Sequence, residues 1–331
     1  MQVKFFNPGL AYQQMKHEIQ PEMERVLITG QLILRQDVED FERNLAEYVG
    51  TKYALGVASG TDALFLTLKS LGIGPGDEVI CPSYTFRATI EAVHMVGAIA
   101  VLADIGEDWK EYRTFKTKAI IPAHIAGEHL NWQSEDGIIM IEDACQAIGV
   151  QPVKGIAACY SFYPAKLLGC YGDGGGIATN DEELYRKLKG FRNHFKDDWT
   201  SYGWNSRLDN LQAAVLNVKI KHLPENIKRR KEIALKYDSK LPEQIARPVE
   251  REVYQDYIIT FQTEKERDDV YDFLKEKEIE TMKNGYPFPK ANPKGPKTLD
   301  YEARSLRLPC NEILTDEEVM EVIQAIHEFY V

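Results

Sequence analysis

Cysteine is sparse and unpaired in this sequence. Five cysteines (Cys81, Cys145, Cys159, Cys170, Cys310) are scattered through 331 residues, with no C-x-x-C spacing. That pattern argues against a disulfide framework and a zinc site, and fits free thiols in a reducing compartment. Positive charge is also short. Lys and Arg number 40 against 51 Asp and Glu, a net charge of −11. This excludes a broad nucleic-acid or anionic-membrane surface, yet leaves room for one local basic pocket. No apolar run approaches membrane-spanning length, and the opening residues carry no apolar leader core. The sequence therefore predicts a soluble, cytoplasmic protein with no resident metal, no membrane and no nucleic-acid partner. Internal repeats and low-complexity tracts are absent too. What is present, 44% apolar and 27% charged residues, is enough for one or two globular domains with a substantial core.

Along the chain, residues 12 to 50 show helical spacing, with a turn near Gly30. Short buried runs then alternate with helical ones. The strands are expected at Tyr53 to Ala58, Glu78 to Pro82, Ile99 to Ala103, Lys118 to Pro122, Gly137 to Ile141, Ile156 to Phe162 and Gly176 to Thr179. Such alternation predicts an α/β fold built on a large, mostly parallel sheet. Asn180 to Glu183 and Thr315 to Glu318 both match capping boxes. The charged helical stretch Lys219 to Lys231 is expected to break at Pro224 and link two domains, a large one over 1–225 and a small α+β one over 226–331. In the second, Val253 to Phe261 alternates like a half-exposed strand, Arg267 to Lys277 is amphipathic, and Tyr286 to Pro296 reads as an irregular loop.

Polar residues collect just after the strands, where open α/β sheets place their ligands. Ser59-Gly60-Thr61 occupies a strand-to-helix turn suited to a phosphate. Phe86 follows the next strand. Asp143 follows four apolar residues and is either a helix N-cap or the partner of a buried cation. Ser161 leads to Lys166, whose neighbours Phe162, Tyr163, Pro164, Leu167 and Leu168 are apolar. Desolvation there would lower the lysine pKa, as imine chemistry requires; the alternative is a buried lysine stem beside a glycine-rich turn. Taken together, a lysine, an acid, a phosphate turn and a flat aromatic match the needs of pyridoxal 5′-phosphate (PLP).

Several segments carry a resemblance to a known family. Ser59-Gly60-Thr61-Asp62-Ala63-Leu64, Gly74 to Val79, Glu142-Asp143-Ala144-Cys145-Gln146, Ser161 to Lys166 and Asn205-Ser206-Arg207-Leu208-Asp209 resemble the DegT/DnrJ/EryC1/StrS aminotransferases. The resemblance implies a PLP fold-type I (aspartate aminotransferase-like) architecture, with a large mixed, mostly parallel sheet domain and a smaller C-terminal domain. It implies that Lys166 is the Schiff-base lysine and proton shuttle, that Asp143 pairs with the pyridinium nitrogen, and that Gln146 contacts the ring hydroxyl. Phe86 would stack on the ring, and Gly60, Thr61 and Ser161 would hold the phosphate. Asn205 would reach the phosphate of the partner subunit's cofactor, implying a homodimer with shared sites. Arg207 and Tyr286 match positions near a sugar-nucleotide; a surface ion pair and a loop-packing tyrosine are their alternatives.

The implied reaction moves the amino group of L-glutamate to a nucleotide-linked keto sugar. Leu168 to Gly175 resembles members that aminate carbon 3, with carbon 4 as the alternative and a non-catalytic regulatory protein as a third reading. A PLP sugar 3-dehydratase is disfavoured by Lys166, because those relatives replace the lysine. The chain departs from the family pattern in short segments between Asp104 and Lys118 and between Gly127 and Gly137, in Ala126 where an aromatic is usual, and in Asn284-Gly285 ahead of Tyr286. These departures bear on substrate choice.

Overall fold

Asn7 accepts a hydrogen bond from the Leu10 N–H and Pro8 supplies a preset φ, so helix α1 (Pro8–Thr29) starts where its first orphan donors are met. A computed structural model describes residues 2–150, 153–197, 201–290 and 292–331. Helix α2 (Gln36–Val49) follows a turn at Gly30 and buries Val38, Phe41 and Leu45.

The chain then lays down β1 (Tyr53–Val57), α3 (Gly60–Ser70), β2 (Glu78–Pro82), α4 (Arg87–Met95), β3 (Ile99–Ala103), β4 (Thr117–Ile120), β5 (Ile139–Asp143), β6 (Ala157–Ser161) and β7 (Gly175–Thr179). These strands form one seven-stranded sheet in the order β1-β7-β6-β5-β4-β2-β3. Every pairing that excludes β7 is parallel; β7 runs antiparallel to β1 and β6. The ends of β1, β2, β4, β5 and β6 therefore open on one edge of the sheet. One apolar core covers the α3 side of the sheet and another lies under α2.

Helix α5 (Glu182–Arg192) leads to α6 (Asn210–Lys240), followed by β8 (Tyr257–Thr260), α7 (Glu264–Glu276), β9 (Met282–Lys283), α8 (Pro296–Arg304), β10 (Ser305–Leu308) and α9 (Asp316–Phe329). The three short strands make an antiparallel sheet, β8-β10-β9, over its own apolar core. Val3 packs into that second core, so the chain's first residues return to its last ones. We propose that the two sheets mark two domains dividing near residue 225, inside α6.

Three expectations need correction. Pro224 does not break a helix: α6 runs through it for 31 residues. An internal proline costs roughly 3 kcal/mol, and here Leu216, Ile220, Leu223, Ile233 and Tyr237 are buried on both sides of it. Residues 253–261 are not half-exposed. Tyr257, Ile259 and Phe261 enter the second core, while Ile258 packs against Ala123, Ile125 and Ala126 below the large sheet. At α5 the cap is Asp181, which accepts from the Leu184 N–H, because Asn180 is engaged by the Lys52 N–H. The capping box at Thr315 and Glu318 is present.

Candidate active site

The strand ends surround a cavity of about 440 Å³. Gly60, Thr61, Phe86, Asp143, Gln146, Ser161, Lys166 and Tyr286 all line it. Eight of the ten residues singled out in the sequence are thus brought together. Asn205 and Arg207 are not. Asn205 is exposed, and Arg207 donates to Asn193 Oδ1 at 3.2 Å. Between them Ser206 donates to Asp62 Oδ2 at 2.6 Å, which ties their loop to the α3 first turn.

Lys166 is half-buried and lines the cavity, so the stem of a merely structural lysine does not describe it. Its surroundings push its pKa below the ordinary lysine value: loss of hydration dominates, and the charges of Asp256 and Asp143 oppose it. Its backbone is fixed by a bond from Lys166 N to Tyr163 O at 2.8 Å. Asp143 is the last residue of β5 and no helix follows it, so the N-cap alternative fails. Its Oδ1 accepts from Cys145 N at 3.2 Å and its Oδ2 from Thr89 Oγ1 at 2.6 Å. Those two bonds fix the carboxylate plane while keeping it at the cavity wall.

The turn after β1 is shaped for close approach. Ser59 caps α3 through the Asp62 N–H, leaving the first-turn N–H groups of Gly60 and Thr61 outside the helical ladder. A Cβ on Gly60 would sit 2.8 Å from Cys145 Sγ and from Ser161 Cβ. On Gly175 it would meet Ser59 O at 2.2 Å. Only glycine permits this packing. A helix N-terminus, a bare backbone, a desolvated lysine and an anchored carboxylate fit the phosphate, aldehyde and ring nitrogen of PLP.

Other groups at the cavity were not found from the sequence. Thr89 lies in an ordinary helical pattern, and nothing local marks it as the partner of Asp143. Gln255, Asp256 and Arg307 also line the cavity; they arrive from the segment just ahead of β8 and from β10, far along the chain. Among the described residues, His124, His129 and Glu142 form one group of metal-ligand type, with ligand atoms within 4.8 Å of one another. There His124 Nδ1 accepts from Leu130 N at 3.2 Å and Nε2 faces Glu142 Oε2 at 3.1 Å. Both ring nitrogens are engaged by protein.

The fold and the cavity define a PLP-dependent transaminase of fold type I. The profile of the DegT/DnrJ/EryC1/StrS aminotransferase family matches residues 13–327, and the chain belongs to that family. It is 35% identical to a pleiotropic regulatory protein of Geobacillus stearothermophilus, over 100% of this chain and 99% of the relative. It is 42% identical to a UDP-2-acetamido-2-deoxy-3-oxo-D-glucuronate aminotransferase of Pseudomonas aeruginosa, over 69% of this chain and 70% of the relative. The crystal structure of NtdA from Bacillus subtilis with its cofactor PMP bound superposes with a TM-score of 0.90 at 28% identity, covering 99% of this chain and 85% of that one. No helix among the described residues is long and apolar enough to cross a membrane.

Proposed function

We propose that this protein transfers the amino group of L-glutamate to carbon 3 of a nucleotide-linked keto sugar. The observation that carries the transfer is Lys166, desolvated at a cavity wall shared with an anchored Asp143. Carbon 3 is supported by the Leu168 to Gly175 segment and by the 3-oxo substrate in the name of the Pseudomonas relative.

In this reading PLP, when bound, supplies an aldehyde that accepts and releases the amino group and a ring that spreads the negative charge formed beside it. The N–H groups of Gly60 and Thr61 and the Ser161 hydroxyl hold the phosphate. Asp143 would hold a proton on the ring nitrogen, Gln146 would meet the ring hydroxyl and Phe86 would cover the ring. Lys166 Nζ would move a proton between the substrate carbon and the cofactor carbon on either side of the transferred nitrogen, a task its lowered pKa suits. Tyr286 bounds the side where the acceptor sugar enters; its ring stands edge-on to Phe86 with centroids 5.1 Å apart.

Asn205 and Arg207 do not line their own cavity, so in this reading their roles belong to a homodimer in which each subunit completes its partner's site. Exposed Leu27, Ile28, Leu32 and Ile33 support this. The bridge between Ile33 and Asp209 sets that apolar patch beside the Asn205 loop.

The name of the Geobacillus relative favours a second reading, a regulatory protein on the same fold. The experiment is to load purified protein with PLP, add L-glutamate, and follow the visible spectrum. Candidate 3-keto and 4-keto nucleotide sugars are then added and the new amine is located by NMR. Loss of the visible band with glutamate and an amine at carbon 3 are expected. A protein that takes up no PLP, or one whose spectrum ignores glutamate, rules out the transferase; an amine at carbon 4 moves the specificity.

A further inference from the structure

Arg307 is a buried cation that this mechanism leaves unused. It sits on β10 and lines the cavity that Lys166 lines. Its side chain is 7% exposed and that of Asp256, its partner, 9%. The contact between them is one bond, Arg307 Nη1 to Asp256 Oδ2 at 3.1 Å. Asn284 Oδ1 accepts from Arg307 Nε at 3.0 Å and from Nη2 at 2.9 Å. These bonds use three of five guanidinium N–H groups, and the Tyr286 hydroxyl, which also hydrogen-bonds Arg307, engages one more, leaving one open. The plane is held by the Tyr286 ring, with Arg307 Cζ 4.8 Å from its centroid.

Tyr286 adds a second donor. Gln146 Oε1 accepts from Ala126 N at 2.8 Å, which turns its amide nitrogen towards the Tyr286 oxygen at 3.4 Å. That oxygen therefore receives a bond, and its own proton is free for a ligand. Burial raises the Tyr286 pKa, so the proton stays in place at neutral pH. Burial works against the charge of Arg307, and the fields of Asp256, Tyr286 and Tyr84 together more than offset it. The result is a fixed cation with an open N–H group beside a fixed hydroxyl, the donor set that a carboxylate takes and that an uncharged sugar hydroxyl does not require.

We propose that Arg307, with Tyr286, forms a carboxylate subsite in this cavity, so that one of the two exchanging substrates is anchored there by a carboxylate. The proposal rests on the transaminase reading and adds the chemistry of the ligand. Two sources share that chemistry: the amino donor, a dicarboxylate in the proposed reaction, and a uronate acceptor such as the Pseudomonas relative's name specifies. Asp256 balances Arg307 while the subsite is empty, and Asn284, held in turn by the Tyr84 hydroxyl at 2.9 Å, fixes the guanidinium.

The test measures binding without turnover. Glutarate, UDP-glucuronate and UDP-glucose are titrated calorimetrically into PLP-loaded protein. Wild type is compared with Arg307→Lys, Arg307→Gln and the double variant Arg307→Gln with Asp256→Asn, which leaves no unpaired buried charge. Glutarate binding weakened by about ten- to a hundredfold in the glutamine variants assigns the subsite to the donor. A preference for UDP-glucuronate over UDP-glucose that disappears in them assigns it to the acceptor. Arg307→Lys should recover only part of either effect, because the fork is lost. Folded variants that bind all three ligands as wild type does overturn the proposal, as does wild type that binds neither carboxylate. Failure of amino transfer with every donor and acceptor would sink the transaminase reading, while the binding comparison would still decide the subsite.

Discussion

Lys166 is bracketed by a single side chain from the segment just ahead of β8. Gln255 Nε2 donates to Ala165 O at 2.9 Å, and Gln255 Oε1 accepts from Leu167 N at 2.9 Å, so one amide satisfies both peptides that flank the lysine. Gln255→Leu keeps the volume and leaves two buried backbone groups unpaired, at about 1–3 kcal/mol each. The expected outcome is a lower melting temperature and a fall in kcat that exceeds any change in KM, with Gln255→Glu milder because it keeps the acceptor. Equal effects of the two variants on kcat would count against this role. The lysine itself gives a second prediction. Burial lowers its pKa from the ordinary 10.5, so more of it is neutral at pH 8 than of a lysine in water. Competitive acylation of the cofactor-free chain across pH, read by peptide mass mapping, should place the Lys166 inflection below that of an ordinary lysine. An inflection at or above the ordinary value contradicts the desolvation argument.

At the scale of elements, α8 shows why part of the fold was illegible in the sequence. Its N-cap, Gly295, offers no side chain. The cap is Asp104, at the end of β3: its carboxylate accepts from the N–H groups of Lys297 and Thr298, each at 2.9 Å, and from Thr298 Oγ1 at 2.6 Å. A helix capped from 193 residues away carries no local start signal, and the approach leaves no room at Gly295, where a Cβ would fall 2.1 Å from Asp104 Cγ. The two-residue β9 and the short β10, with Arg307 in its middle, are hidden for a similar reason: their pairing is set by tertiary contacts. By contrast, Asp143, Ser161 and the Gly60 turn were legible because polar residues directly after apolar runs mark strand ends. The Asp104 cap also predicts a pH effect. Burial raises its pKa, the hydrogen bonds from Thr298, Lys297 and Ile105 together lower it by more, and the net value falls below the ordinary 3.8. The unfolded chain therefore binds this proton first. The cap's stabilisation is full above about pH 4 and is lost as pH falls through the lower folded value. Asp104→Asn should lower the melting temperature at pH 6 through a loss of about 1–2 kcal/mol, and the gap to wild type should narrow below pH 4. A gap that widens in acid would contradict the assignment.

For the whole molecule, the decisive question is whose cavity Asn205 and Arg207 serve. Within one chain neither lines its own: Asn205 is exposed, and Arg207 is engaged with Asn193. A symmetric dimer places the same patch of each subunit against its copy, so a loop beside the interface can complete the partner's site. The exposed side chains of Ile28, at 78%, and Leu27, at 59%, lie at the end of α1 near that loop and supply apolar area for such a contact. Charge placed there, as in Ile28→Glu, should shift the protein towards monomer in sedimentation experiments and weaken PLP binding along with it. Sharing can be tested separately by mixing two inactive proteins. Lys166→Ala lacks the lysine but keeps Asn205; Asn205→Ala keeps the lysine but weakens the phosphate contact. In a mixed dimer one site has both defects and the other has neither. After exchange at equal concentrations, half the dimers are mixed and activity should recover to about a quarter of wild type. If Asn205 served its own chain, every site in the mixture would carry one defect or the other, and no recovery would appear. Because Asn205→Ala retains whatever activity its weakened site allows, the comparison is made at PLP concentrations that saturate wild type but not this variant.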